Sequence, residues 1–309
     1  MTNDNKINYN NKRVYWKRIF KKTTPLFFIL PAITLLCLFV LIPFVDTIIN
    51  SFYDMSYTKN NGYVGFDNYR EIFANEDYMH SLKVSLYYVV SAILQVILAL
   101  FLAILLNNNK KFMGLFKGCI FIPYLVNAVA IGYMFRLFLT RGFIFDTVLG
   151  ALGFDLKSLP FWLRDQGTNN IVLATISLWR YTGFNMIIFL GALSSIDQNN
   201  YNMASLDGAG TYQKLRHITL PSIKKVFWLT MLLSVISSLN EFELPYIIAS
   251  GGSNKTATFM IYIFRSGQIS HKVGLASAMS VVLISFIIGI LLLLFVCYLV
   301  YTRIRRRRS

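Results

Sequence analysis

Two carboxylates sit where carboxylates are rarely tolerated. Glu241 and Glu243 interrupt an otherwise uncharged stretch from Val226 to Ser250, with Asn240 before them and Pro245 after. An acidic group at the centre of a membrane helix costs about 2.5 to 3.5 kcal/mol on insertion scales, so it faces a polar cavity or a partner. Facing a cavity, Asn240 and the two glutamates would accept hydrogens from a hydroxyl-rich solute. At the outer boundary they would be hydrated, or paired with Arg180. Residues two apart on a helix point different ways, so only one of the two acids is expected to face a cavity fully. Pro245 lacks a backbone donor and weakens the helix, as in the discontinuous helices that build transporter sites. Around Arg180 stand Trp179, Tyr181, Gly183, Phe184 and Asn185, aromatic faces and an amide suited to a ligand with apolar and hydroxylated sides. Other chemistries are not signalled. Cys37, Cys119 and Cys297 lie in apolar stretches without a Cys-x-x-Cys pair, and His80, His217 and His271 are far apart; neither a disulfide framework nor a metal site is expected.

The surrounding composition states what must position these residues. Of 309 residues, 55% are hydrophobic and 14% charged, against about 25% charged in a soluble domain, which argues against a water-soluble enzyme. The net charge of +16 would suit nucleic acid, but the basic residues flank long uncharged stretches instead of forming a stripe, so no nucleic-acid partner is expected. Crossing a bilayer takes about 20 apolar residues as a helix, because backbone groups must be satisfied internally there. Six stretches qualify or nearly do: Thr23 to Val45, Val84 to Asn109, Cys119 to Phe135, Ile171 to Leu193, Val226 to Ser250 and Val273 to Tyr301. The first is too long for a signal-peptide core and has no small-residue cleavage site after it, so it reads as a membrane helix. With both termini cytoplasmic, the inside segments hold nineteen Lys and Arg and the outside segments ten, as the positive-inside rule requires. The expected fold is therefore an all-α polytopic membrane protein of six helices. A basic cytoplasmic tail covers 1–23, the membrane domain 24–302, and an Arg-rich cytoplasmic tail resting on lipid headgroups 303–309.

One cytoplasmic connection is longer than a simple turn. From Asp197 to Lys225 it is compatible with two short helices broken at Asp207-Gly208. Asp207 is expected to cap the second helix, Gly208 to take a positive φ, and Pro221 to end the segment at the membrane surface. Gly208, Ala209 and Gly210 leave the backbone open to a partner's close approach. By shape alone the element is either a docking surface or a loop packed on its own helices.

This segment resembles the EAA loop of binding-protein-dependent ABC importer permeases, at Ala204, Asp207, Gly208, Ala209, Ile218, Leu220 and Pro221. Asn202 and Met203 depart from the usual Glu and Ala, and a later common Pro is replaced near Lys225. Gly65-Phe66-Asp67-Asn68-Tyr69, Phe121-Ile122-Pro123-Tyr124, Gly251-Gly252-Ser253 with Thr256 and Thr258, and Gly274 with Ala276-Ser277-Ala278 resemble carbohydrate permeases of the larger maltose-type subunit, Ser253 standing where Pro is usual. The resemblance implies a type I ABC importer permease in the bacterial cell membrane. Its loop 198–223 would dock an ATP-binding subunit through Tyr201, Asn202, Met203, Ala204, Asp207, Gly208, Ala209 and Gly210. Sugar would be contacted near Gly183, Phe184, Asn185, Ser238, Asn240, Glu241, Glu243 and Leu244. The implied partners are a second six-helix permease subunit, ATP-binding cassette subunits, an extracytoplasmic sugar-binding protein and membrane lipid. The chain has no Gly-x-x-x-x-Gly-Lys-Ser/Thr loop, so no catalytic residue or cofactor is expected in it, ATP and Mg being held by the partner. The alternatives are a related importer for polyamines, phosphate or amino acids, or an ion-coupled secondary transporter using Glu241 or Glu243 as proton carrier.

Overall fold

The computed structural model describes residues 28–107, 113–253 and 255–306. The basic tail 1–23, Lys110, Lys111 and the last arginines, Arg307 and Arg308, lie outside the described residues. Among the described residues, five helices are long and apolar enough to cross a membrane, and a bent pair supplies a sixth crossing if it forms one span. The first, α1 (Phe28–Asn50), exposes large apolar side chains along its length, as a lipid-facing surface requires. It widens into a π turn at Cys37–Leu41 directly before Pro43, where the ring would otherwise crowd the preceding turn.

A hairpin follows. Strands β1 (Tyr53–Ser56) and β2 (Lys59–Tyr63) pair antiparallel, Tyr53 opposite Tyr63, with a bulge between Asp54 and Met55. This hairpin is a small addition to the all-α fold, and alternation of polar residues over so short a span carries no membrane-scale signal. The Gly-Phe-Asp-Asn-Tyr motif opens α2 (Asp67–Ala74) and ties it to the end of α1. Asn68 donates to the Ser51 and Tyr53 carbonyls at 2.9 and 3.0 Å, and the Tyr69 hydroxyl meets Ser51 Oγ at 2.7 Å.

Helices α3 (Glu76–Asn107) and α7 (Asn169–Ser194) form the centre of the molecule. Val96, Ala99 and Ala103 pack near Met186, Phe189, Leu190 and Leu193 in one buried cluster. Small residues let two helices approach closely where lipid offers no hydrophobic drive between them. Between these two helices runs the bent pair, α4 (Met113–Leu125) and α5 (Ala128–Phe138), which turn 94° from one another. Pro123 weakens the end of α4, and Asn127 restarts the helix by accepting from the Val129 N–H at 2.8 Å. A short α6 (Ile144–Ala151) and an irregular stretch then lead to α7.

After α7 come α8 (Gln198–Leu206) and the long α9 (residues 211–239), which contains a π turn at Leu215–Thr219. Pro221 does not end the segment as expected. It sits in the first turn after the π turn, where a missing N–H is tolerated, and the chain continues as one helix into the fifth span. That span breaks at Asn240–Phe242 and resumes as α10 (Glu243–Ile248). The chain finishes with α11 (Phe259–Phe264), a further π turn at Arg265–Ile269, and α12 (Val273–Arg306).

The start of α12 carries the hairpin. A Cβ on Gly274 would run into the Tyr53 carbonyl and come within 3.0 Å of the Met55 nitrogen. Replacing Gly274 with valine should therefore lift the hairpin from α12 while leaving the spans inserted. Limited proteolysis of membranes should cut residues 53–63 markedly faster in that variant; unchanged protection would contradict the packing.

Candidate translocation site and coupling surface

A cavity of about 250 Å³ lies between α3, α4, α7 and α9, within the apolar spans. Its wall is rich in hydroxyl and amide groups: Tyr88, Ser91 and Gln95 from α3, Tyr124 from α4, Ser177, Tyr181 and Asn185 from α7, and Thr230, Ser234, Ser237 and Ser238 from α9. Some are already engaged. Ser91 Oγ donates to the Ala174 carbonyl at 2.7 Å, and Asn185 Nδ2 to Ser234 Oγ at 3.1 Å. The Tyr88 hydroxyl and Ser177 Oγ are fully buried with no hydrogen-bond partner among the described residues. Leaving a buried polar group unpaired costs about 1 to 3 kcal/mol, a cost that a hydrogen-bond partner brought to either hydroxyl would relieve. Tyr124 and Phe184 stack at 4.6 Å between ring centroids, forming a flat apolar patch on the same wall.

Among the described residues, the only charged side chain on that wall is Glu241. Its placement follows from Pro245. In an unbroken helix the Glu241 carbonyl would accept from the N–H at position 245, which proline lacks. The helix instead stops, and the Thr258 hydroxyl donates to the Glu241 carbonyl at 2.8 Å. The restarted α10 keeps Pro245 in its first turn, where no donor is needed. The Glu241 carboxylate is buried, accepts from the Leu244 N–H at a long 3.4 Å, and keeps its remaining acceptor capacity toward the cavity.

The break also separates the two acids. Glu243 leaves the cavity and meets Arg180, Oε2 to Nη1 at 3.3 Å. The Arg180 guanidinium lies 5.2 Å from the Tyr181 ring centroid and also reaches the Tyr181 hydroxyl at 3.4 Å. Arg180 is therefore held against Tyr181 and does not line the cavity.

Of the residues expected to contact solute, the structure brings Phe184, Asn185, Ser238 and Glu241 together on the wall. It places the other four elsewhere. Gly183 is the contact point of α7 with α4, where a Cβ would strike the Ile120 carbonyl and come within 2.8 Å of Phe121 Cα. Asn240 turns its amide onto the Ile236 carbonyl at 2.8 Å. Glu243 is paired with Arg180, and Leu244 is fully buried in a core cluster with Val84 and Tyr88. Tyr88, Gln95, Ser177, Thr230 and Ser234 were missed. Their signal is a polar stripe at helical spacing inside apolar spans: 88, 91 and 95 on α3, and 230, 234, 237, 238 and 241 along the fifth.

At the far end of α9, the cytoplasmic connection forms a bihelical tip. Asp197 opens α8 by accepting from the Asn199 N–H at 2.9 Å. Asp207 does not cap the second helix as expected; it ends α8, and the next helix starts at Gly210, whose N–H donates to Gln213 Oε1 at 2.7 Å. Gly208 takes φ +77°, and the Ala209 N–H closes onto the Ala204 carbonyl at 2.8 Å. Met203, Leu206 and Tyr212 project from the tip, Leu206 being 89% exposed. Tyr201 faces inward, its hydroxyl meeting Thr219 Oγ1 at 2.9 Å, so it fixes α8 to the π turn of α9. Asn202 lines a small cavity behind α8. Leu206 and Tyr212 have no distinctive spacing in the sequence; only the turn at Gly208 makes them protrude.

Residues 95–309 match the family model described as "binding-protein-dependent transport system inner membrane component". The chain is 29% identical over 290 residues to the arabinooligosaccharides transport system permease protein AraP of Bacillus subtilis, covering 91% of each chain. It is 29% identical over 242 residues to the lactose transport system permease protein LacF of Rhizobium radiobacter, covering 77% of this chain and 80% of that one. It is 26% identical over 256 residues to the trehalose/maltose transport system permease protein MalF of Thermococcus litoralis, covering 82% of this chain and 86% of that one. A bacterial ABC transporter structure involved in import of the acidic polysaccharide alginate shares the fold, with a TM-score of 0.77 at 21% identity, over 91% of this chain and 96% of that one.

The close seam at Gly183 is testable apart from transport. Overpacking a seam costs about 1 to 3 kcal/mol, so Gly183→Val should lower the unfolding midpoint of the solubilised protein by roughly 3 to 10 °C. An unchanged midpoint would mean that α4 and α7 do not meet there.

Proposed function

We propose that this chain, which belongs to the family of binding-protein-dependent transport system inner membrane components, is the permease subunit through which an ABC importer passes an oligosaccharide. The observation that carries the reading is the membrane-embedded cavity. It joins a carboxylate with open acceptor capacity, two buried unpaired hydroxyls and a stacked aromatic patch. Sugar hydroxyls both donate and accept, and the C–H faces of sugar rings lie flat on aromatic rings. The names of the relatives, which concern arabinooligosaccharides, lactose and trehalose or maltose, support the same class.

In this mechanism the chain hydrolyses nothing and holds no cofactor. An extracytoplasmic binding protein delivers the sugar, and a second six-helix permease subunit completes the passage. ATP and Mg are held by separate ATP-binding subunits that grip the bihelical tip. Closure of those subunits moves α8, and Tyr201 passes the motion to α9 through Thr219. Because α9 runs from the tip to the break at Glu241, displacement at the tip repositions the cavity wall, which is how the path alternates between its two openings. The reading is tested by screening oligosaccharides for stimulation of ATPase activity in the reconstituted complex; a polyamine or amino acid that stimulates where no sugar does would replace it.

Two variants separate the steps. Removing a charged hydrogen-bond partner costs about 1.5 to 3 kcal/mol, so Glu241→Ala should raise the KM for sugar uptake by roughly tenfold or more, with Glu241→Gln affected less. Equal uptake by all three proteins would remove Glu241 from the sugar path. Gly208→Val meets no neighbouring atom, but a β-branched residue is strained at φ +77°. That variant should insert normally yet lose sugar-stimulated ATP hydrolysis; normal coupling would contradict the role of the tip.

A further inference from the structure

A second cavity, of about 650 Å³, opens at the outer end of the molecule, between the end of α5, the irregular stretch before α7 and the end of α10. Its walls are pinned. Arg141 donates through Nη1 to the Leu159 carbonyl at 2.7 Å and through Nη2 to the Leu156 carbonyl, and its guanidinium lies 5.2 Å from the Phe161 ring centroid. The Arg141 charge is balanced by Asp146, Nε to Oδ2 at 3.5 Å. Asp146 in turn accepts from the Gly142 N–H at 2.8 Å and from Trp162 Nε1 at 2.9 Å. The Gly142 N–H first, then Trp162 and Arg141, hold the Asp146 carboxyl below its usual range. Nearby Asp165 is occupied by the Phe161 N–H at 2.9 Å.

Two cations of this cleft remain. The side chains of Arg136 and Arg164 line it, are exposed, and form no hydrogen bond or ion pair with the described residues. Two unpaired guanidiniums beside the Phe161 and Trp162 rings, in a recess whose wall is tied by Arg141 and Asp146, suit carboxylates that can be gripped in bidentate fashion. The cleft is also joined to the sugar cavity. Its floor includes Ile248, the last residue of α10, and α10 starts two residues after Glu241. Six helical residues span only about 9 Å, so pressure on the cleft reaches the break directly.

We propose that this cleft seats acidic side chains of the extracytoplasmic binding protein, with Arg136 and Arg164 as the anchoring charges. The inference rests on the reading that such a protein serves this chain, and it adds the place and the charge of the contact. Docking there would load α10 at the moment sugar is released toward Glu241.

The test uses the complete permease–ATPase complex in nanodiscs and its cognate binding protein, purified with sugar bound. Charge reversal at both positions (Arg136→Glu with Arg164→Glu) should raise the concentration of binding protein giving half-maximal ATPase stimulation by tenfold or more at low salt. The difference from the parent complex should shrink at about 0.5 M salt, because exposed ion pairs are screened. Arg164→Lys keeps the charge and supplies an amine, so carbodiimide treatment should crosslink that variant to a carboxylate of the docked protein. An unchanged half-saturating concentration without any crosslink overturns the proposal. So does a shift that follows the anionic lipid content of the nanodisc and not the binding protein, which would make the cleft a lipid site. If no binding protein stimulates the parent complex, the underlying reading fails, and this inference with it.

Discussion

The hydrogen bond from the Thr258 hydroxyl to the Glu241 carbonyl is the contact on which the rest of the structure depends. A proline in an apolar span leaves one carbonyl four residues earlier without its donor, and no water is available in hydrocarbon to replace it. Here the donor comes from the segment between α10 and α11, so the helix can stop at Leu239 and restart at Glu243 with its backbone served. The placement of the two acids follows from that interruption. Glu241 turns to the cavity, Glu243 is carried round to Arg180, and Leu244 is driven into the core.

The same interruption sits partway along a path that links three parts of the molecule. The path begins at the exposed tip of α8, passes through the Tyr201–Thr219 contact into α9, reaches the cavity at Glu241 and ends with α10 at the floor of the outer cleft. Under the proposed function, this arrangement would place three tasks on one line: gripping a motor, contacting the solute and meeting the delivering protein. The glycines along the path act by different means. Gly208 supplies a turn that other residues strain to make, whereas Gly183 and Gly274 are points where one backbone lies against another.

Much of this was legible in the sequence, for identifiable reasons. Crossing helices announce themselves because a long uncharged run has few other fates, and the EAA-like segment stood out because it is too long for a connector. The motif around Asn68 and Tyr69 proved to be a tie between α2 and the end of α1, which its residue types permit but do not specify. Pairing of Glu243 with Arg180 was one of two open readings, since spacing along one chain cannot say which distant helix faces an acid. Gly183 and Leu244 neighbour polar residues in sequence but not the cavity in space, because helical rotation decides which face a residue occupies. The cavity wall on α3 was overlooked because Tyr88, Ser91 and Gln95 do not lower the hydropathy of their span enough to draw notice. The end of α8 at Asp207 and the passage of the helix through Pro221 turned on one hydrogen bond and one π turn, details that propensity does not resolve.

On the proposed function, the break at Glu241 opens a water-reachable sugar path inside the membrane. It is tested most directly by thiol labelling of the assembled transporter after Cys37, Cys119 and Cys297 have been replaced. Ser238→Cys should react with a charged, water-soluble methanethiosulfonate and be protected by the transported sugar, while Leu244→Cys should stay silent. Reaction at 244 with silence at 238, or labelling at 238 that no transported sugar affects, would contradict the account.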